Sequence, residues 1–532
     1  MNPLRFPPLY WIWIVSCSVL LGAGLAAIQP GPWWAAWLGF SGLLLLGLIA
    51  LVEAWRWAGG GKGMAWMIGL ALLLRLGLGV ATYLALPING HDAPDDKAGF
   101  VFTDAHRRDD QAWQLASSGK PLYAAFDKSY YTDQYGGLLA ISALSYKVFS
   151  PNAHRPLLIV VLAALTAALA VPFLYRAVAL LWNERIAMLG SWLFVLYPES
   201  ILTGGAQMRE PFLLCFIAMA LSGFAQWLQE RSRSGGLWMG AGLLGMLLVS
   251  PAIALATLVL LGGWLWSRGE HRHIPAAVLA FIAAVVLIGV LFLAWSVSRQ
   301  HDFSTGSPAG LILNWFRGSV KWVIYELERG SGQIQNVFSK MGPVGQFLFV
   351  VGYGIAQPVL PPAFFAPTTL TWRVIAIFRS VGWYMLLPLL LYAPFAAWRE
   401  GEPRRRRAWL WISTFAWMWI LICAVRAGGD QWDNPRYRLI FFGVQAVVAA
   451  YGWISWWQRR DAWLPRIVAL EVLCVLVFGQ WYVARYYRVG VHLPIMVVLA
   501  LSLTVAALIL LGGWLWDAVR GRQNRRQDGH RV

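Results

Sequence analysis

Long, uninterrupted apolar runs restrict the fold of this chain more than any other feature. Such runs recur along nearly the whole length, and about 20 apolar residues are enough for a helix to cross a membrane. Charged residues make up only 13% of the 532 residues, against about 25% in soluble proteins. The sequence therefore predicts an all-α polytopic membrane protein with about 14 transmembrane helices. They are predicted near 9–28, 33–52, 64–86, 153–181, 186–204, 209–229, 236–250, 252–267, 274–297, 376–398, 408–426, 437–457, 463–485 and 493–516.

The basic residues between these helices indicate how the chain is oriented. Lysine and arginine concentrate in short cytoplasmic loops. If the N-terminus is cytoplasmic, every strongly basic cluster falls on that side, including the run Arg404–Arg407 and the C-terminal tail. Treating 236–267 as one crossing would move this run to the outside. The pattern therefore predicts two helices around Pro251 and both termini in the cytoplasm.

Two long loops are predicted on the opposite side, at about 87–152 and 298–375. Each contains a short apolar stretch, Gly136–Phe149 in the first and Phe347–Leu360 in the second. Neither can cross the membrane without breaking the charge pattern, so both are predicted to be re-entrant or surface-lying helices. Irregular backbone at membrane depth is tolerated where it lines a protein cavity. The two stretches therefore indicate a cavity on the outer face.

The net charge of +18 does not indicate a nucleic-acid partner. The basic residues are spread over short loops and form no single basic face with interleaved aromatic residues. Many of the 33 tryptophans lie at the ends of apolar runs, as in an interfacial aromatic belt. The four cysteines lie inside apolar runs, which predicts buried free thiols and no disulfides. His91, Asp92 and His106 show no metal-ligand spacing, and no metal site is predicted.

The most polar segment of the chain lies in the first long loop. Asp104, Asp109 and Asp110 are close together there, and Asp109–Ser117 suits a short amphipathic helix with carboxylates at its start. Two adjacent carboxylates near basic residues can supply a general base beside a phosphate site. The alternative is a solvated acidic turn that caps the helix, a position that aspartate favours.

A motif in this loop resembles a family of membrane enzymes. Asp109-Asp110-Gln-Ala-Trp113, followed by Ala116 and Gly119, resembles the Asp-Glu-x-x-Tyr…Ala…Gly pattern in the first outer loop of GT-C glycosyltransferases. The likeness is to bacterial relatives of protein O-mannosyltransferases and of the lipid A aminoarabinose transferase. Asp110 and Trp113 replace the family's glutamate and tyrosine. Further similar segments follow along the chain: Arg75, Tyr130–Gly137 (with Gly136 and Gly137 in place of two prolines), His154-Arg155, Leu196–Ser200, Met208–Pro211 and Asp433–Arg438.

The resemblance implies a GT-C-type bundle in three parts. Residues 1–63 form two extra N-terminal transmembrane helices. Residues 64–455 form the catalytic core, including the long periplasmic loops at about 87–152 and 298–375. Residues 456–532 form C-terminal transmembrane helices and a basic cytoplasmic tail. The protein is then expected in the bacterial inner membrane, with several membrane crossings and an active site that faces the periplasm.

The resemblance also implies an activity. GT-C enzymes transfer a sugar from a polyprenyl-phosphate carrier to an acceptor, here a lipid, a glycan or a protein. Asp109 is expected to act as general base in a single inverting displacement, with Asp110 orienting it or binding sugar or metal. A divalent cation, Mg²⁺ or Mn²⁺, is the one cofactor left open. The donor phosphate is expected at Arg436, Arg438, Arg209 and Lys128, supported by Arg75, Tyr131, Gln134 and Tyr437.

Two other functions are compatible with the sequence. The first is a transporter or flippase for a lipid-linked sugar. Transporters often show repeated halves and a midplane site, whereas this chain shows no internal repeat and concentrates its polar residues in outer loops. The second is a polysaccharide polymerase or ligase, which usually has essential arginines in a late outer loop. The second long loop contains five basic residues of this kind: Arg317, Lys321, Arg329, Lys340 and Arg373.

Overall fold

The computed structural model describes residues 8–127, 129–130, 132–268 and 338–529. These residues form helices joined by short loops, and no strand occurs among them. Nine of the described helices are long and apolar enough to cross a membrane, or up to eleven if each of two bent pairs is one span. The predicted all-α polytopic membrane fold is therefore confirmed. The predicted helix at 274–297 lies outside the described residues.

The chain divides into two compact units. Unit 1 comprises Met1–Phe316, Thr369–Trp372 and Arg436–Ala450. Its N-terminal helices are α1 (Pro8–Ala27), α2 (Trp33–Trp57), α3 (Lys62–Asn89), α4 (Pro94–Lys97), α5 (Thr103–Ser117), α6 (Gly137–Phe149), α7 (Leu157–Leu181), α8 (Glu184–Leu196), α9 (Pro198–Gly204), α10 (Glu210–Glu230), α11 (Arg233–Val249) and α12 (Pro251–Arg268).

Unit 2 comprises Arg317–Thr368, Arg373–Pro435 and Tyr451–Val532. The later helices are divided between the units by these ranges. In chain order they are α13 (Pro343–Ala356), α14 (Leu360–Phe365), α15 (Leu370–Trp398), α16 (Pro403–Ala427), α17 (Asp433–Leu439), α18 (Phe442–Arg459), α19 (Trp463–Tyr487) and α20 (Ile495–Gly529).

Helix α7 forms the centre of unit 1. It is the most buried of the described candidate spans and contacts α2, α3, α8 and α10. Its sequence is apolar on every face, which is the composition of a helix surrounded by other helices. Helices α5 and α6 of the first long loop pack against each other. The surface-lying stretch that the sequence predicts at Gly136–Phe149 is therefore a helix, α6.

Two predicted helices are bent pairs. The chain bends by 58° between α8 and α9 and by 77° between α17 and α18. At the first bend, Tyr197 has an extended backbone with φ −67° and ψ 121°. The ring of the following Pro198 would clash with Tyr197 in a helical conformation, so the extended conformation is favoured. Pro198 then opens α9, where its missing N–H costs no helical hydrogen bond. The proline thus explains why one predicted helix is two.

The predicted break near Pro251 is also present, between α11 and α12. Both helices are apolar, but their apolar segments are shorter than the candidate spans. In the second long loop, a re-entrant or surface-lying helix was expected at Phe347–Leu360. The helix found there, α13, begins and ends a few residues earlier, at Pro343–Ala356. The total of about 14 crossings therefore remains a prediction.

Arg75 fixes the bend between α8 and α9 to α3. The side chain is fully buried, and its guanidinium donates to the carbonyl oxygens of Phe194 (3.1 Å) and Val195 (3.3 Å) and to Ser200 Oγ (2.7 Å). Carbonyl groups at a helix C-terminus lack intrahelical partners, and a charge at membrane depth needs polar neighbours. None of its hydrogen bonds reaches a first-loop carboxylate, so the geometry favours a structural role over the expected support of these carboxylates.

Arg75→Leu is expected to lower the free energy of unfolding by at least about 3 kcal/mol, because it leaves several buried acceptors without donors. Thermal and denaturant unfolding of the purified protein in detergent measure this loss. Arg185→Leu, at an exposed position of α8, is the matched control and is expected to change stability by less than about 0.5 kcal/mol. Equal losses in the two variants would contradict the anchoring role.

Candidate functional site

The first-loop helix, α5, begins six residues earlier than the sequence indicates, at Thr103 instead of Asp109. Asp109 and Asp110 therefore lie inside the helix, so the expected placement of carboxylates at its start is wrong for this pair. The residue at the start is Asp104. The buried face of α5 is formed at helical spacing by Ala105, Arg108, Asp109, Ala112 and Leu115.

Asp109 is completely buried. Tyr146 donates its hydroxyl to Asp109 Oδ1 at 2.5 Å, and His154 Nε2 lies 2.7 Å from Oδ2. The imidazole also stacks on Trp113, with ring centroids 5.5 Å apart. Both carboxylate oxygens are thus occupied by side chains of α6 and of the segment before α7. In this arrangement Asp109 holds elements together and presents no oxygen to an acceptor.

Asp110 lies on a different side of α5. Its side chain is 48% exposed, and Oδ2 is 3.6 Å from His106 Nε2. His106 Nδ1 in turn is 2.7 Å from Asp95 Oδ1. At 3.6 residues per turn, Asp110 is about 120° around the helix from Asp104. The two exposed carboxylates of α5 therefore face different surroundings.

Asp104 contacts an arginine from a distant part of the chain. Arg436 Nη1 lies 3.2 Å from Asp104 Oδ2, and Arg436 Nε lies 3.3 Å from Glu210 Oε1. The Asp104 side chain is 50% exposed, whereas those of Arg436 and Glu210 are nearly buried. The first loop, the start of α10 and the Arg-Tyr segment before α18 therefore meet within unit 1. Asp104 is the exposed member of this group.

Further charges surround this contact. Arg108 donates to the Gln207 carbonyl oxygen at 3.0 Å, and its Nε lies 3.9 Å from Asp133 Oδ1. The guanidinium of Arg209 lies 5.4 Å from the ring centroid of Tyr135 and is electrostatically coupled to Asp133. Six residues form what we call the charged cluster: Asp104, Arg108, Asp133, Arg209, Glu210 and Arg436.

The arginines of the charged cluster keep Asp104 ionised. Burial alone would raise the pKa of Asp104, but the positive charges of Arg436, Arg108 and Arg209 and the hydrogen bond from Arg436 outweigh it. The pKa of Asp104 therefore lies below its ordinary value of 3.8. A carboxylate that is ionised at neutral pH can accept a hydrogen bond or a proton from a substrate hydroxyl.

Arg209 differs from the other arginines of the charged cluster. It is half-buried at the start of α10, and no carboxylate within the described ranges lies close enough to form a salt bridge with it. Unpaired backbone N–H groups and the helix dipole also favour anions at a helix N-terminus. Arg209 is therefore the arginine of this cluster best placed to receive an added anion.

Three other expected site residues lie within the described ranges. Arg438 is almost fully buried, at 1% exposure, and Arg436 is little more exposed, at 5%. Tyr437 is half-buried, 5.2 Å from the Arg436 guanidinium. Gln134 is half-buried in the turn before α6. Lys128 and Tyr131 lie outside the described residues.

Three members of the charged cluster, Arg108, Asp133 and Glu210, are not among the site residues that the sequence predicts. Asp133 and Glu210 lie in segments that resemble the family, whereas Arg108 does not. A signal existed for Glu210, because a carboxylate next to Arg209 at the start of an apolar helix needs a polar environment. Within the described ranges, no three His, Cys, Asp or Glu side chains form a group that could hold a metal ion.

Comparison with protein-family models gives no match, and comparison with curated proteins gives none either. Two of the solved structures that are similar to this chain are archaeal. One is the archaeal oligosaccharyltransferase AglB from Archaeoglobus fulgidus in complex with an inhibitory peptide and a dolichol-phosphate, with 14% identity, 85% of this chain and 55% of that chain covered, and a TM-score of 0.38. The other is the Archaeoglobus fulgidus oligosaccharyltransferase in the apo form, with 13% identity, coverages of 83% and 56%, and a TM-score of 0.39. The chain spans about half the length of these structures.

Proposed function

We propose that this protein is a membrane glycosyltransferase that moves a sugar from a polyprenyl-phosphate-linked donor to an acceptor hydroxyl. One observation carries the proposal. Asp104 and Arg436 are 332 residues apart in sequence, yet their side chains are 3.2 Å apart. Such a reaction needs a carboxylate for the hydroxyl and fixed positive charge for the phosphate. The charged cluster supplies both in one place.

Arg209 is the proposed first contact of the donor phosphate. Arginine presents a planar fork of N–H groups that matches phosphate oxygens. Arg209 forms no salt bridge with a carboxylate in the described ranges, and the start of α10 adds favourable backbone dipoles. Arg436, which belongs to the same charged cluster, is the proposed second contact of the phosphate.

Asp104 is the proposed general base, in place of Asp109. The acceptor oxygen attacks the anomeric carbon, its proton passes to Asp104, and the bond from the anomeric carbon to the phosphate oxygen breaks. The phosphate leaves with the bonding electron pair and is stabilised by the arginines. When the phosphate engages Arg436, its negative charge offsets the positive charge that lowers the pKa of Asp104, so Asp104 becomes a stronger base. A single displacement of this kind inverts the anomeric centre.

The proposed donor and acceptor are those expected for the family that the first-loop motif resembles. A carrier anchored in the membrane by a polyprenyl tail suits a multi-pass protein, and the acceptor is a lipid, a glycan or a protein. We place the reaction at the periplasmic face of the bacterial inner membrane, on the basis of the first-loop motif and the charge pattern of the loops. Mg²⁺ or Mn²⁺ dependence is tested by adding a chelator to the same assay.

The test is sugar release from a panel of radiolabelled polyprenyl-phosphate sugars by the purified protein. Turnover by the wild type that is lost in Asp104→Asn would support both the activity and the base. Folded wild-type protein that turns over no donor, even with crude membrane acceptors, would overturn the proposal. A lipid-translocation assay on the same preparation then tests the flippase alternative.

Arg209→Gln is expected to raise the KM for the donor by about 10–100-fold, because a charge-assisted hydrogen bond contributes about 1.5–3 kcal/mol. The effect on kcat is expected to be smaller, provided that the phosphate is held in the ground state as well as in the transition state. Arg107→Gln is the matched control, since Arg107 is an exposed arginine of α5. An unchanged KM in Arg209→Gln would remove Arg209 from the phosphate site.

A further inference from the structure

The ends of three helices in unit 2 meet at one place. Arg459, the last residue of α18, donates to the carbonyl oxygens of Ala396 (3.2 Å) and Arg399 (3.3 Å) at the end of α15. Trp409, in the second turn of α16, stacks on Tyr451 of α18 with ring centroids 3.9 Å apart. The exposed residues that flank these ends therefore share one surface of unit 2.

Aromatic rings and an arginine form a platform on this surface. The guanidinium of Arg460 lies 3.7 Å from the ring centroid of Trp457 and 5.5 Å from that of Trp456. Trp457 is 54% exposed. Tryptophan prefers the boundary between membrane and water, and α15 and α16 are candidate membrane spans that end and begin here. The platform therefore lies where lipid head groups are expected.

This surface has an excess of positive charge. Two of its carboxylates pair with arginines, since Asp461 Oδ2 is 3.2 Å from Arg399 and Glu402 Oε2 is 4.0 Å from Arg405. A third, Glu400, accepts a hydrogen bond from the Tyr451 hydroxyl at 3.1 Å. Trp456, Trp457 and four arginines form what we call the basic-aromatic surface. These arginines are exposed and form no salt bridge with any carboxylate in the part of the chain that the structure describes: Arg404, Arg406, Arg407 and Arg460.

We propose that the basic-aromatic surface binds the head groups of anionic phospholipids. Clusters of arginine next to a membrane span attract anionic lipids, and arginine binds phosphate oxygens through its fork of donors. The adjoining tryptophans favour a lipid over a soluble polyanion, because they prefer the interface next to the acyl chains. This binding site is independent of the charged cluster of unit 1 and of the proposed sugar transfer.

The experiment titrates the purified full chain, in neutral detergent, with phosphatidylglycerol, phosphatidylcholine or inorganic phosphate. The thermal unfolding midpoint is the readout. One variant changes Arg404, Arg406, Arg407 and Arg460 to Gln. The matched control removes the same charge from four exposed positions at helix ends of unit 1 by changing these residues to Gln: Lys62, Arg185, Arg231 and Arg233.

Phosphatidylglycerol is expected to raise the midpoint of the wild type at low micromolar to millimolar concentration, and phosphatidylcholine is not. Each basic residue contributes about a fivefold change in affinity at an anionic surface. The fourfold variant should therefore need at least tenfold more phosphatidylglycerol, and the control variant less than twofold more. Equal effects of the two lipids, equal losses in the two variants, or a full effect of inorganic phosphate would each overturn the proposal. If the fourfold variant does not fold, the single variant Arg460→Gln is titrated with phosphatidylglycerol in its place.

Discussion

Asp104→Asn is expected to reduce sugar transfer by about 10²–10⁴-fold, the usual contribution of a general base. The amide has nearly the same shape but cannot take the acceptor proton. Since the Asp104 side chain is half exposed, the variant should fold, and its thermal unfolding midpoint should stay within a few degrees of the wild type. The measurements are kcat for a turned-over donor and the unfolding midpoint of the same preparation.

Asp110→Asn is the matched control for this prediction. Both aspartates lie on α5 and are about equally exposed, at 48% and 50%. Only Asp104 contacts an arginine of the charged cluster, whereas Asp110 faces His106. Asp110→Asn is expected to keep most of the activity. Loss of transfer in Asp110→Asn with normal transfer in Asp104→Asn would move the base to the other side of the helix.

The helices of this protein could be predicted well from the sequence, because length and hydrophobicity alone decide membrane crossing. Each predicted helix within the described ranges corresponds to one helix or to a bent pair of helices. The bends were not predicted. The bend at Tyr197 has a local cause in Pro198. No proline lies between α17 and α18, and Arg436 of α17 contacts Asp104 and Glu210, which are distant in sequence. The residues on both sides of such a bend are equally apolar, so hydrophobicity does not reveal where the helix bends.

The place of the candidate site could be predicted in part from the sequence, but not which aspartate contacts an arginine. The sequence indicated a first-loop carboxylate and the arginines Arg209 and Arg436, and the structure brings Asp104 and Arg436 into contact. It favoured Asp109 over Asp104 because Asp109 matches a family pattern. Which of three nearby aspartates meets an arginine depends on where α5 begins and which of its faces is buried. Neither can be read from spacing, since Arg108 and Asp109 are charged and yet lie on the buried face.

The second large effect is expected from Asp109→Ala, as a loss of stability. The substitution leaves the buried Tyr146 hydroxyl without its acceptor and the partly exposed His154 ring nitrogen without its partner. A buried polar group that loses its partner costs about 1–3 kcal/mol. We therefore expect the free energy of unfolding to fall by about this amount, measured by denaturant unfolding in detergent, with Asp110→Ala nearly unchanged.

Double-mutant cycles separate this role from catalysis. If Asp109 acts through Tyr146 and His154, then Asp109→Ala combined with Tyr146→Phe should cost less than the sum of the two single changes, because the contact is lost only once. Asp109→Asn decides between the two carboxylates. A stable Asp109→Asn protein with no transfer would restore Asp109 as the base, as the family pattern indicates. A destabilised protein whose folded fraction still transfers sugar would leave the base to Asp104 and give Asp109 the task of fixing α5 to α6 and to the start of α7.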